Sequence, residues 1–153
     1  MIRLIAVDMD GTLLNEDKQI PAENIKAMKQ AADQGVSLAV CSGRTAEDIS
    51  YFLSDAGIKR CSVISLNGTF CLASPHGEPY ALHTFTKADK QRIMDIFDKY
   101  QITYAEFQAY RVIVIEKDMK MESWYWGTHV GRGKPDAFVH GQEALNRYRD
   151  EGT

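Results

Sequence analysis

Arg3-Leu4-Ile5-Ala6-Val7-Asp8-Met9-Asp10-Gly11-Thr12 is the stretch on which the fold turns. The run from Arg3 to Val7 stops abruptly at two acids and a glycine, and a short apolar run bounded by a turn signal reads as a buried strand. Pro21 then opens a helical stretch whose Ile25, Met28, Ala31 and Ala32 share one face, and Gly35 stands where a helix-closing glycine belongs. Val36 to Cys41 repeats the strand pattern. Thr45-Ala46-Glu47-Asp48 reads as an N-cap with acids in the first turn, ahead of Ile49, Phe52, Leu53 and Ala56, and Gly57 closes that helix. Ser62 to Leu66 is a third strand, ending in the turn signal Asn67-Gly68. The order β-α-β-α-β predicts an α/β fold, because right-handed crossovers turn it into a parallel sheet with helices packed on it.

The pattern changes near Thr84, which divides the chain into 1–84 and 85–153. Thr69 to Phe85 reads as a hairpin or two short extended pieces, broken by Pro75, Gly77 and Pro79. Lys87 to Tyr100 is an amphipathic helix with Ile93, Ile96, Phe97 and Tyr100 as its inner face, and extended segments follow at Thr103 to Phe107 and Arg111 to Glu116. This half reads as α+β. The remainder combines Trp124, Tyr125 and Trp126 with a Gly-rich turn and a short helical segment near Gln142 to Asp150.

Composition removes whole classes of function. The 153 residues are 44% hydrophobic and 25% charged, with a formal charge of -3, which excludes disorder and offers no basic field to nucleic acid or anionic lipid. Apolar runs such as Leu4 to Val7 and Val112 to Ile115 are far shorter than the roughly 20 residues of a membrane helix. The first of them is also too short for a signal-peptide core, so a cytoplasmic location is expected. Three cysteines with no C-x-x-C spacing point to reduced thiols.

Chemistry collects where the strands end. In an open parallel sheet the binding site lies beyond the carboxyl ends of the strands. Those ends carry Asp8-Met9-Asp10-Gly11-Thr12, Ser42-Gly43-Arg44 and Asn67-Gly68. Residues i and i+2 of an extended segment point the same way, so Asp8 and Asp10 can present two carboxylates to one small volume. Hard oxygen ligands of that kind suit Mg²⁺, which binds through one or two carboxylates plus substrate phosphate. The Ser42 hydroxyl and the amides of Gly43 and Met9 supply donors for phosphate oxygens. Each segment alone has a plainer reading as a turn or a strand-to-helix loop. Two acids at the end of one apolar strand exceed what a turn needs, and the three segments share one sheet edge.

Leu4-Ile5-Ala6-Val7-Asp8-Met9-Asp10-Gly11-Thr12-Leu13-Leu14 closely resembles the first motif of the haloacid dehalogenase superfamily. Val40-Cys41-Ser42-Gly43-Arg44 is similar to the second motif as Cof-type phosphatases use it, and Leu66-Asn67-Gly68-Thr69 to the Asn-Gly segment of the same branch. The resemblance implies a three-layer Rossmann-like core over 1–84 and part of an α+β type 2 cap over 85–153. It further implies a Mg²⁺-dependent phosphatase acting on small phosphorylated metabolites. Asp8 would be the nucleophile forming an aspartyl phosphate, and Asp10 the general acid and base. Mg²⁺ would sit on the Asp8 carboxylate and the Asp10 backbone carbonyl. Ser42 and the Gly43 amide would hold the phosphate, helped by the Met9 and Asp10 amides. A phosphomutase, and a non-catalytic phosphate-binding or regulatory module, are the alternatives.

Two family features have no counterpart here. The third-motif lysine has no secure match, since Lys134 in Gly133-Lys134-Pro135-Asp136 falls within the cap in the Cof-type order. No Gly-Asp-x-x-Asn-Asp segment follows. The chain therefore resembles the first half of such a protein, and little activity is expected of it alone. Three further groups read more simply as structure: His129, Asp136 and His140 as surface residues, Trp124 to Trp126 as cap core, and Cys41 as a small buried hydrophobe.

Overall fold

Strands β1 (Leu4–Asp8), β2 (Ser37–Cys41), β3 (Ser62–Ser65), β4 (Phe70–Leu72) and β5 (Pro79–Leu82) form one sheet whose spatial order is the chain order. The computed structural model describes residues 2–102, 104–107, 112–116 and 137–140. Its contacts separate two compact units, Met1–His83 and Thr84–Thr153. No helix of the described residues is long and apolar enough to cross a membrane.

In the first unit β1, β2 and β3 are parallel, joined through helices α1 (Ala22–Asp33) and α2 (Ala46–Asp55). Strands β4 and β5 continue the sheet antiparallel, so it is mixed rather than wholly parallel. The reason is length, because the few residues between β3 and β4 permit a tight turn but not the dozen or more of a parallel crossover. Two right-handed crossovers advancing in one direction place α1 and α2 on the same face of the sheet. The core between them gathers Met28, Leu38, Val40, Ile49, Leu53, Val63 and Phe70, all buried.

Strand β1 departs from its expected burial. Leu4 is 58% and Ile5 39% exposed, because among the described residues β1 pairs only with β2 and forms an edge of the sheet.

Helix ends follow one geometry throughout. Beyond α1, Gly35 at φ +80° donates to Ala32 C=O and Val36 to Ala31 C=O, both at 3.0 Å. Beyond α2, Gly57 at φ +65° donates to Ser54 C=O at 2.9 Å and Ile58 to Leu53 C=O at 2.8 Å. These paired bonds satisfy carbonyls that the helix leaves open, and glycine adopts the left-handed turn without a Cβ penalty. Thr45 caps the start of α2 by accepting from the Asp48 N–H at 3.2 Å.

The second unit contains α3 (Lys87–Lys99) and a separate sheet of β6 (Tyr104–Phe107), β7 (Val112–Glu116) and β8 (Ala137–His140). Strands β6 and β7 are antiparallel, and β8 joins β7 in parallel, a strand the sequence reading missed. The inner face of α3 is rotated from expectation. Ile93, Met94 and Phe97 turn inward, whereas Ile96 is 52% and Tyr100 65% exposed. Phe97 packs on the Tyr104 ring at 4.8 Å, which fixes the rotation. The end of α3 repeats the closure of α1 and α2 with Gln101 in the glycine position, at φ +55°.

That contrast yields a paired expectation. Gly57→Ala should cost about 1–2 kcal/mol of local stability and Gln101→Gly should return about 1 kcal/mol. Amide exchange should speed up in α2 for the first variant and slow down in α3 for the second; equal signs would contradict the closure geometry.

Candidate active site

The site is built by strand ends that finish level. Asp8 pairs with Cys41, and Cys41 with Ile64, so the segments that follow leave the sheet along one edge. Backbone bonds then lock two of these segments together: Ser42 N–H to Ile64 C=O at 2.9 Å, Leu66 N–H to Arg44 C=O at 3.0 Å, and Asn67 N–H to Ser42 C=O at 3.1 Å. Leu66, Asn67 and Gly68 lie consecutively in the left-handed region, at φ +47°, +56° and +92°. Non-glycine residues there cost roughly 1–2 kcal/mol each, and such strain is held where the surroundings over-determine it. The turn brings the Asn67 side chain against Gly43, where an added Cβ would stand 3.4 Å from Oδ1. Asn67 therefore shapes the Ser42-Gly43-Arg44 loop, a role its reading as a turn residue did not contain.

The first segment is not an extension of β1. Residues Met9–Leu13 make one wide helical turn, with Gly11 at φ +74° and Leu14 N–H bonded to Met9 C=O at 2.9 Å. Asn24 of α1 ties the turn down by donating to Leu13 C=O at 3.2 Å. Met9 is fully buried and anchors the turn, while Asp8 and Asp10 on either side face solvent. Both acids are thus exposed with a buried residue between them, although the segment beyond Asp8 is a turn and not the extended one expected.

Their environments differ sharply. Arg44 holds Asp10 through two bonds, Nε to Oδ2 at 2.7 Å and Nη2 to Oδ1 at 2.9 Å, and Lys18 Nζ adds a third at 2.9 Å to Oδ1. The Arg44 guanidinium, with Lys18 beside it, holds the Asp10 carboxyl far below the usual carboxylate range. Arg44 is itself fixed by α2. Its side chain is only 11% exposed, lies 5.4 Å over the Phe52 ring and feels the charge of buried Asp48. Lys18 comes from a turn pinned by the Asn15 side chain, whose Oδ1 accepts from Gln19 N–H at 2.9 Å. By contrast, no described residue is hydrogen-bonded to the Asp8 carboxylate.

Ser42 is buried, and its Oγ accepts from the Arg44 N–H at 3.2 Å, which orients the hydroxyl at the loop mouth. Asp8, Met9, Asp10, Ser42 and Gly43 are thus gathered on one edge. In sequence Arg44 carries no role beyond its place in the Ser42-Gly43-Arg44 segment, and Lys18 carries no signal, since only the turn returns it to Asp10. Burial pushes the Cys41 thiol up, consistent with a packing role, and all three cysteines are free. Lys134, Trp124 to Trp126, His129 and Asp136 lie outside the described residues, and His140 is described only as part of β8.

For a metal, the Asp8 carboxylate and the Asp10 carbonyl are hard oxygen donors that suit Mg²⁺ in kind, with substrate and water completing the shell. The Asp10 carboxylate is taken by the two cations. Among the described residues no cluster of three metal-ligating side chains occurs.

The family model described as haloacid dehalogenase-like hydrolase matches residues 5–145. The chain belongs to the haloacid dehalogenase-like hydrolases. Among curated relatives, phosphatase YwpJ of Bacillus subtilis is 40% identical over 95 residues, covering 62% of this chain and 32% of the relative. The 5-amino-6-(5-phospho-D-ribitylamino)uracil phosphatase YwtE of the same organism is 34% identical over 109 residues, 71% of this chain and 36% of the relative. A haloacid dehalogenase-like hydrolase structure from B. subtilis superposes with a TM-score of 0.72 at 29% identity, covering 84% of this chain and 44% of that one. The chain thus spans about a third of the length of these curated relatives. Its Rossmann-like sheet and helices are those of the haloacid dehalogenase-like fold.

Because ionised Asp10 is favoured in the folded chain, its pairing adds stability above the ordinary carboxylate pKa of ~4 and loses it as pH falls below that. Asp10 is 40% exposed, so solvent screening keeps the pair near ~1 kcal/mol. Arg44→Gln should raise the Asp10 titration midpoint toward the ordinary value, read from its carboxyl ¹³C shift. An unchanged midpoint would show that Arg44 is not the main cause.

Proposed function

We propose that this chain carries the nucleophile and phosphate cradle of a Mg²⁺-dependent phosphatase acting on small phosphorylated metabolites in the cytoplasm. One observation carries the reading: two carboxylates on one sheet edge, one without a bonded partner among the described residues and the other held by two cations. An unpaired, solvent-facing carboxylate is free to attack phosphorus, whereas a paired one is not.

Asp8 would attack the phosphoryl group and displace the alcohol, leaving an aspartyl phosphate. The Ser42 hydroxyl and the Gly43 amide would hold the phosphoryl oxygens, with the Met9 and Asp10 amides supporting them. Asp10 would give a proton to the leaving oxygen and later take one from the attacking water. Acting as acid requires that it leave Arg44 and Lys18, and an arriving phosphate attracts both cations. The Asp8 carboxylate and Asp10 carbonyl would hold Mg²⁺, which when bound offsets negative charge between carboxylate and phosphate. The second unit, Thr84–Thr153, fits the part of a cap that selects substrate. With two site carboxylates among the described residues and one of them engaged, slow turnover is expected of these 153 residues alone.

Beryllofluoride, which mimics an aspartyl phosphate, tests the nucleophile without needing turnover. In millimolar Mg²⁺ a bound ¹⁹F resonance should appear for the wild type and vanish in Asp8→Asn. A resonance in both proteins, or in neither, would overturn the assignment. Where a phosphate ester is turned over, Asp10→Asn should slow it about 10²- to 10⁴-fold, more for an alkyl than an aryl ester, because the aryl leaving group needs less protonation.

A further inference from the structure

The opposite edge of the same sheet carries a cavity of about 300 Å³. It opens at the amino ends of β2 and β3 and the carboxyl end of β4, with Gly35 beyond α1 on one side and the loop from α2 to β3 on the other. At 3.3 Å per residue, the length of a strand, about 15 Å, separates it from Asp8 and Ser42.

We propose that this cavity is a second anion site, taking a small phosphate- or carboxylate-bearing molecule between Lys59, Arg60 and the hydroxyls of Ser37, Ser62 and Ser74. Charge is the first argument. The protein carries a net -3, yet the lining holds two cations and no acid. Two like charges lining one concavity repel each other, and an anion seated between them offsets that repulsion.

Partnering is the second argument. At the active-site edge of this unit, by contrast, Arg44 and Lys18 both bind Asp10. No described residue is hydrogen-bonded or ion-paired to the side chains of Lys59 or Arg60, and none to the hydroxyls of Ser37, Ser62 or Ser74. Five donors therefore line one space with no acceptor assigned to them. The remaining polar group, the Cys61 thiol, is pushed up to about 11 mainly by burial, so it stays neutral and takes nothing from the positive field.

Shape is the third. The volume matches the lower end of small-ligand pockets, roughly 300 to 1,000 Å³. Gly35, at φ +80°, has open space where a Cβ would be, so the backbone leaves the mouth clear on that side. Exposed lysine and arginine at the rim with serine hydroxyls beside the strand starts suit an anionic head rather than an apolar body.

The test is a residue-resolved amide titration of the 153-residue chain with inorganic phosphate, and separately with citrate, at constant ionic strength so that general screening cancels. Amides of Gly35, Lys59, Arg60, Ser62 and Ser74 should move together along one saturating curve. In Lys59→Gln/Arg60→Gln that curve should weaken at least tenfold, while phosphate-induced shifts at Ser42 and Gly43 are unchanged. Both substituted residues are exposed, so the variant keeps its fold, checked by its unperturbed core amides. No saturation at these five amides, or saturation that survives the double substitution, overturns the proposal. Because the active-site amides are followed in the same spectra, loss of the second site and loss of the phosphatase reading are separate results.

Discussion

Register between β1 and β2 is the constraint from which the site follows. Five parallel pairs, from Leu4 with Ser37 to Asp8 with Cys41, finish the two strands level. Only with level ends does the turn carrying Asp10 come beside the loop carrying Arg44, thirty-four positions later in the chain. A slip of one residue would reverse which side chains face the helices and which face solvent, and buried Val40 and Leu38 oppose any such slip.

The two aspartates illustrate how similar residues acquire different chemistry. Asp8 ends the strand and Asp10 lies in the turn just beyond it, both face solvent, and a single buried methionine separates them. What distinguishes them comes from elsewhere: an arginine seated on an aromatic ring and near a buried acid, and a lysine brought back by a pinned turn. The arginine is pre-organised by α2, so little side-chain freedom remains to be lost when it grips a carboxylate. A polar pair with one rigid member and one mobile member can be opened by competition for the mobile one. Lys18, 47% exposed, is the partner open to that competition.

Much of this is legible in the amino-acid sequence. Helix closures at Gly35 and Gly57, the Thr45 cap and the three parallel strands follow from local rules that act over four or five residues. Asp8, Asp10, Ser42 and Gly43 fall on one edge because strand polarity alone decides which ends converge. What escaped depended on distant partners. The exposure of β1 reflects which strands lie beside it, a property no run of five residues encodes. The rotation of α3 was set by Tyr104, and the grip on Asp10 by Lys18, whose approach needs the geometry of a turn. Asn67 looked like punctuation, and only its three-residue left-handed run reveals that it braces Gly43.

The first sheet has one more consequence, concerning how it is assembled. Its strands stand side by side in the order in which a ribosome would deliver them. Each new strand meets a neighbour that has already emerged, so none waits for a later one before it can pair. The first two closures each span a helix, and the later ones shrink to tight turns, so the entropic cost of each addition falls as the sheet grows. Such a sheet can accrete from one side during synthesis. Among the described residues the outer side of the starting strand takes no partner, and Leu4 and Ile5 there remain in contact with water.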